Sequence, residues 1–178
     1  KKVFESCNLP IVDYTWFYRS AYEENKVKYI EKAEKIGYPL IVKPANLGSS
    51  VGINKAKNLD ELLFAIDVAK AYDRKIIVEK CLEDVREINC AVIGYENNLQ
   101  TSLCEEPVGW KDFLTYEDKY VNKKKDSSES KRRIPADIDE ETETKIKDYA
   151  TEVFKAVDGC GNARIDFLLR GNNIYVNE

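Results

Sequence analysis

Histidine and methionine are both absent from this chain of 178 residues. Without histidine there is no Cys-His or Ser-His catalytic pair, and the usual Cys/His zinc sites are excluded. Without methionine there is no initiator, so the chain reads as an excised piece of a longer protein. The five cysteines, Cys7, Cys81, Cys90, Cys104 and Cys160, are scattered, odd in number and lack any Cys-x-x-Cys pair. Reduced thiols in a cytoplasm fit that pattern. No apolar run approaches the ~20 residues that span a bilayer, and no signal peptide opens the sequence, so no membrane partner is expected. The formal net charge of -4 argues against a general nucleic-acid surface. Chemistry must rest on carboxylates, lysines, arginines, tyrosines, serines and backbone amides, with a hard cation held by oxygen as one option.

What is present begins with a strand-type run, Leu40-Ile41-Val42, ending in Lys43 and Pro44. Gly48, Ser49, Ser50 and Gly52 follow at once. Such a loop can aim several amide N–H groups at one point and hold phosphate, because glycine adopts backbone angles other residues resist. It equally fits an ordinary turn between strands, and it is not a Walker loop, since no Gly-Lys-Ser/Thr closes it. Around it, periodicity predicts a helix over Glu24 to Ile36 ended by Gly37, with Val27, Ile30, Ala33 and Ile36 on its apolar stripe. A strand follows at Ile53 to Ala56, then a helix from the Asn58/Glu61 capping spacing to about Tyr72. Further strands are expected at Lys75 to Glu79, Arg86 to Gly94 and Leu99 to Cys104. From Glu105 to Arg133 regular signals fade, which inside a compact domain points to a functional lid or a disordered segment. Its basic clusters, Lys123 to Lys125 and Lys131 to Arg133, superficially resemble a nucleic-acid patch but also fit a loop charged to stay solvated. Asp139 opens a last helix with Ile146, Tyr149, Ala150, Val153 and Val157 as its stripe.

The chain closes on a predicted hairpin, Asn162 to Leu169 and Ile174 to Glu178, joined by a three-residue turn at Gly171 to Asn173. Arg164 and Asp166, two apart on one strand, share a face. Pairing Arg170 with Ile174 would set Asp166 opposite Glu178, whereas a slip of one residue would send the two carboxylates to opposite faces. Adjacent carboxylates repel unless a cation lies between them. Mg²⁺ beside substrate phosphates is one reading; a solvated hairpin whose acids pair with Arg164 or a lysine is the other.

The ordered set Val42-Lys43-Pro44, Gly48-Ser49-Ser50-Val51-Gly52, Glu79-Lys80-Cys81-Leu82, Arg86-Glu87, Lys119-Tyr120, Ala163-Arg164-Ile165-Asp166 and Asn177-Glu178 resembles the D-alanine-D-alanine ligase family of the ATP-grasp superfamily. Ligases of vancomycin resistance that join D-alanine to D-serine resemble it equally. The resemblance implies an α+β fold of two lobes enclosing a nucleotide cleft: a small lobe over about 11–82, and a larger one over about 83–178 with a lid at 105–133. It implies ATP-dependent joining of D-alanine to D-alanine or D-serine through an acyl phosphate, for peptidoglycan precursors in the cytoplasm. Another ATP-grasp carboxylate-amine ligase and a non-catalytic nucleotide-binding module are the alternatives. By the same resemblance Lys43, Gly48, Ser49 and Ser50 meet the ATP phosphates; Glu79, Lys80 and Leu82 line the adenine pocket; and Glu87 takes the ribose. Asp166 and Glu178 hold Mg²⁺, Arg164 faces the reacting carboxyl group, Lys119 and Tyr120 sit in the lid over the active site, and these two with Arg164 and Ser49 of the glycine loop are the catalytic residues it implies. Tyr120, where ester-forming members commonly have histidine, favours amide formation. The family's N-terminal domain and a metal-binding asparagine two positions beyond Glu178 have no counterpart here, so the fragment is expected to be incomplete for catalysis. A homodimer of the full-length protein is compatible with the family.

Overall fold

The apolar run before the glycine loop forms strand β2, Leu40–Pro44, in which buried Leu40, Val42 and Pro44 alternate with half-buried Ile41 and Lys43. In this computed structural model, which describes residues 1–48, 51–108 and 131–178, the chain divides into two compact units. Asp13–Glu83 makes up one; Lys1–Val12 with residues 84–108 and 131–178 makes up the other.

In the first unit a four-stranded antiparallel sheet runs in the order β1 (Tyr14–Tyr18), β4 (Lys75–Lys80), β2, β3 (Asn54–Ala56). Strand β1, Tyr-Thr-Trp-Phe-Tyr, has little polar alternation for a sequence reading to use. Its register against β4, Phe17 opposite Ile76, makes it a strand and buries Phe17. The helix expected over Glu24 to Ile36 forms over Lys26–Glu34, and a separate short helix precedes it. A short α2 (Arg19–Glu24) stops at Asn25, whose side chain accepts the Lys28 N–H and starts α3 (Lys26–Glu34). Val27, expected on the apolar stripe, is exposed, while Ala33 is fully buried. Helix α4 (Leu59–Tyr72) keeps the predicted cap: Glu61 N–H donates to Asn58 Oδ1 at 2.9 Å, and Glu61 Oε2 accepts the Lys57 N–H at 2.8 Å. Its Leu62, Ala65, Ile66 and Ala69 join Phe17, Leu40, Val42, Ile76 and Val78 in one core. The other face of the sheet carries Lys43 and Glu79.

The second unit packs a sheet of order β10 (Asn173–Val176), β9 (Gly161–Arg170), β5 (Arg86–Tyr95), β6 (Asn98–Thr101) against α5 (Glu140–Ala156), with the short α1 (Lys2–Ser6) beside that helix. Ile88, Cys90, Val92, Ile165, Phe167, Leu169, Ile174 and Val176 face Ile146, Ala150, Val153 and Phe154. The α5 stripe differs from expectation at its end. Val157 is exposed and Phe154 is buried instead, because Gly159 folds back over the Phe154 ring, where a Cβ would lie 2.8 Å from the ring carbon. Each large buried side chain in this core contributes roughly 1.5–3 kcal/mol, more than any half-exposed ion pair on the other face, so the core holds the sheet.

Two sequence expectations need correction. The stretch from Glu105 to Arg133 is not irregular at its ends: β7 (Glu106–Val108) and β8 (Lys131–Arg133) pair antiparallel, Glu106 opposite Arg133. Arg132 reaches Glu105 at 3.5 Å, and Arg133 reaches Asp137 at 3.0 Å, so these two arginines serve local ion pairs. Residues 109–130, with Lys123 to Lys125, lie outside the described residues. The terminal hairpin is also tighter than expected. Its turn is the two residues Gly171 and Asn172, with Gly171 at φ +56°, and Arg170 pairs with Asn173 rather than Ile174.

Candidate functional site

The shorter turn shifts the hairpin register by one, which continued regularly would turn Glu178 away from Asp166. It does not continue regularly. Asp166 N–H donates to the Glu178 carbonyl at 2.8 Å, while Asn177 N–H donates to the Asp166 carbonyl at 2.8 Å. Two residues thus oppose one, a β-bulge, and the bulge undoes the slip. The Glu178 charge lies close enough to bear on the Arg164 guanidinium.

A polar row crosses the open face of the second sheet. Asn89 on β5 pairs with Asp166 on β9 and, on its other side, with Glu105 through an isolated bridge. Arg164, one step along β9, clamps Asp166 with two hydrogen bonds, Nε to Oδ1 at 2.6 Å and Nη2 to Oδ2 at 2.8 Å. Hydrogen bonding to Asp166, with smaller contributions from the Glu105 and Glu178 charges, raises the guanidinium above its ordinary pKa against the opposing effect of burial. Asp166 is mostly covered, whereas Arg164 keeps 61% of its side chain in solvent, so this pair adds less than about 1 kcal/mol to stability. Such a pair is cheap to rearrange when a ligand arrives. Sequence reasoning missed Asn89 and Glu105 as neighbours of this row. The only signal was their alternation on strands, and the bridge that joins them crosses a long stretch of chain.

In the other unit, Lys43 and Glu79 meet on the face of its sheet turned away from α4. Lys43 faces Ile77 across the β2–β4 ladder, so Glu79, two residues on, is its diagonal neighbour, and Nζ lies 2.8 Å from Oε2. Lys80 does not extend from the strand into solvent: its Nζ donates to the Gly37 and Tyr38 carbonyls at 2.9 and 2.8 Å, tying β4 to the turn before β2. Leu82 is half-buried just past β4, and Gly48 sits on an exposed loop with open space where a Cβ would be. Glu87 is exposed on β5, opposite Leu168. Lys43, Gly48, Glu79, Lys80 and Leu82 therefore belong to one unit, and Glu87, Arg164, Asp166 and Glu178 to the other. Ser49, Ser50, Lys119 and Tyr120 lie outside the described residues.

A second arginine clamp fixes the base of β7. Arg86 holds Glu106 through Nε–Oε1 at 2.6 Å and Nη2–Oε2 at 2.8 Å, and also donates to the Asp137 carbonyl. The Arg86 hydrogen bonds keep the Glu106 carboxyl below its ordinary pKa of 4.5. A carboxyl with a depressed folded-state pKa stabilises the fold above its unfolded value and loses that contribution as pH falls through the folded one. Glu106→Gln is accordingly expected to lose less stability than the parent between pH 6 and pH 3 in denaturant titrations. An equally steep acid limb in the variant would contradict this account.

Among the described residues no group of three or more Asp, Glu, His or Cys side chains forms a metal cage, and no helix is long and apolar enough to cross a membrane. Asp166 and Glu178 supply two carboxylates, the number Mg²⁺ takes when substrate phosphates complete its oxygen shell.

Comparison with known proteins identifies the family. The chain is 44% identical over 179 residues to a D-alanine--D-alanine ligase of Thermosipho africanus, covering all of this chain and 47% of that protein. A D-alanine--D-alanine ligase of Chloroherpeton thalassium is also 44% identical, with all of this chain and 48% of that protein covered. Among solved structures, the VanG D-Ala:D-Ser ligase of Enterococcus faecalis superposes with TM-score 0.78 at 29% identity, over 99% of this chain and 49% of that one. The chain spans about half the length of the curated relatives it matches. The α+β architecture is that of the ATP-grasp ligases. The family model for the D-ala D-ala ligase C-terminus matches residues 3–178, and the chain belongs to that family.

Proposed function

We propose that this chain is the nucleotide-handling part of an ATP-dependent ligase that joins D-alanine to a second D-amino acid for peptidoglycan precursors in the cytoplasm. The observation that carries the reading is the bulge that returns Glu178 to Asp166 next to Arg164, in a chain related along its whole length to D-alanine--D-alanine ligases. Asp166 and Glu178 would hold Mg²⁺ beside the ATP phosphates. When bound, the ion neutralises phosphate oxygens and so favours the build-up of negative charge during transfer.

The protein's own groups do the positioning. Lys43, held straight by Glu79, presents its ammonium to the phosphates. Glu79, Lys80 and Leu82 border the base, with the Lys80 side chain already committed to the Gly37 and Tyr38 carbonyls, so backbone groups do the reading there. Glu87, exposed on β5, takes the ribose hydroxyls. The D-alanine carboxylate receives the terminal phosphoryl group, and the amine of the second amino acid then displaces phosphate. Arg164 swings from Asp166 to the carboxyl oxygen that gathers charge in both steps. Ser49, Ser50, Lys119 and Tyr120 enter this reading through the family resemblance.

The second amino acid is D-alanine or D-serine. The identity to D-alanine--D-alanine ligases favours the former; the VanG likeness keeps the latter in view. The test is phosphate release by the purified full-length protein with Mg-ATP and D-alanine, with and without D-serine, and mass analysis of the dipeptide. D-Alanyl-D-alanine or D-alanyl-D-serine is the expected product. ATP turnover with neither, or only with other carboxylates, would place the protein elsewhere among ATP-grasp enzymes.

A further inference from the structure

The two buried cysteines, Cys90 and Cys104, take no part in the chemistry above, yet they stand face to face. Asn89 and Glu105 exchange both backbone hydrogen bonds, each at 2.8 Å, and so form a hydrogen-bonded antiparallel pair. The next step is therefore Cys90 opposite Cys104, a non-hydrogen-bonded position. Cα atoms at such positions lie about 4.5 Å apart with their side chains close, inside the Cα separation that a disulfide spans. Beyond this step the register changes: Val92 pairs with Thr101, and Ser102 N–H donates to the Ala91 carbonyl, which leaves Leu103 as the extra residue of a bulge. The bulge keeps Cys104 on the core face with Cys90, where each is 1% exposed. The thiols are in hydrogen-bond contact, Cys104 acting as donor, which favours Cys90 as the sulfur that loses its proton first, while the same contact and burial push Cys104 up. Lys147 on α5 adds a smaller positive influence at Cys90.

We propose that Cys90 and Cys104 are a cross-strand dithiol that a peroxide converts to a disulfide within the folded protein. The Cys90 thiolate attacks peroxide oxygen, giving a sulfenic acid and releasing hydroxide. The Cys104 sulfur then attacks Cys90 sulfur, expelling water after proton transfer. Two thiols lose two electrons to one hydrogen peroxide, and two waters result. The bond ties the segment carrying Glu105, and so the entry to β7, to the strand that carries Asn89. Cys7, Cys81 and Cys160 are not paired in this way, since two of them are exposed and none faces another cysteine on a ladder.

The experiment uses a Cys7→Ser/Cys81→Ser/Cys160→Ser variant and the parent, each treated with hydrogen peroxide under native conditions, alkylated and mapped by mass spectrometry. The expected result is a mass loss of about 2 Da, a dithiothreitol-reversible Cys90–Cys104 peptide and a Tm raised by about 5 °C. Cys104→Ala should instead leave Cys90 as sulfenic or sulfinic acid. Persistent free thiols at both positions, over-oxidation of Cys90 in the parent, or a crosslink to another cysteine would each overturn the proposal. If the triple variant fails to fold, peptide mapping of the parent alone decides between these outcomes.

Discussion

Replacing Asp166 by alanine is expected to lower ligase turnover by about 10³-fold or more while leaving the fold intact. Two functions are lost together: a carboxylate proposed to hold Mg²⁺ and the group that clamps Arg164. Removing one electrostatic group from a transition-state site commonly costs 10²–10³, and the second loss adds to it. Stability responds differently, because the Arg164 side chain is mostly in solvent and such pairs contribute less than about 1 kcal/mol. Asp166→Asn keeps the shape and some hydrogen bonding but lacks the charge, and should be nearly as inactive. Phosphate release and calorimetric titration with Mg-ATP, read beside a thermal melt, separate the two effects. Unaltered Mg-ATP affinity and turnover in the alanine variant would falsify the metal assignment.

The second large effect is expected at Lys43, and here the fold is the first to suffer. Lys43 and Glu79 retain only 16% and 5% of their side-chain exposure. Removing one member of a buried ion pair leaves the other charge in a poor dielectric, at a cost of about 3 kcal/mol. For a domain of this size that lowers Tm by roughly 6–12 °C. A Lys43→Met/Glu79→Leu double variant should recover most of the loss, since an apolar pair of similar volume needs no hydration. It should not recover ATP affinity, because the ammonium proposed to face the phosphates is gone. A single Lys43→Met variant as stable as the parent would show that the pair is not structural. Full ATP turnover in the double variant would remove Lys43 from the nucleotide site.

Most of the helices and central strands were legible because their signals are local. The Asn58/Glu61 spacing is a cap by itself, and both of its hydrogen bonds form within four residues. Asp139 likewise caps α5 through the Thr142 N–H. Strands β2 and β4 announce themselves by apolar runs that are buried wherever the sheet places them. Signals failed where pairing decided. Tyr14–Tyr18 is a strand because β4 offers it an edge, and Glu106–Val108 is one because Lys131–Arg133 returns to it after a long excursion. Neither partner is near in sequence.

The candidate site divides in the same way. Which residue types stand where, the face shared by Arg164 and Asp166, and the order of motifs that marks the ligase family are properties of the sequence. Alternation along one strand needs no partner to be read. Whether Glu178 stands beside Asp166 was a question of register, and register depends on the turn and on the neighbouring strand. The two-residue turn at Gly171 shifted the ladder, and the bulge at Asn177 and Glu178 shifted it back, two changes of one residue that cancel at the end that matters. The meeting of Lys43 with Glu79, and of Cys90 with Cys104, likewise belongs to the tertiary structure. Each joins strands whose relative offset is set by packing of both sheets on their helices, and no local energy in the chain fixes it.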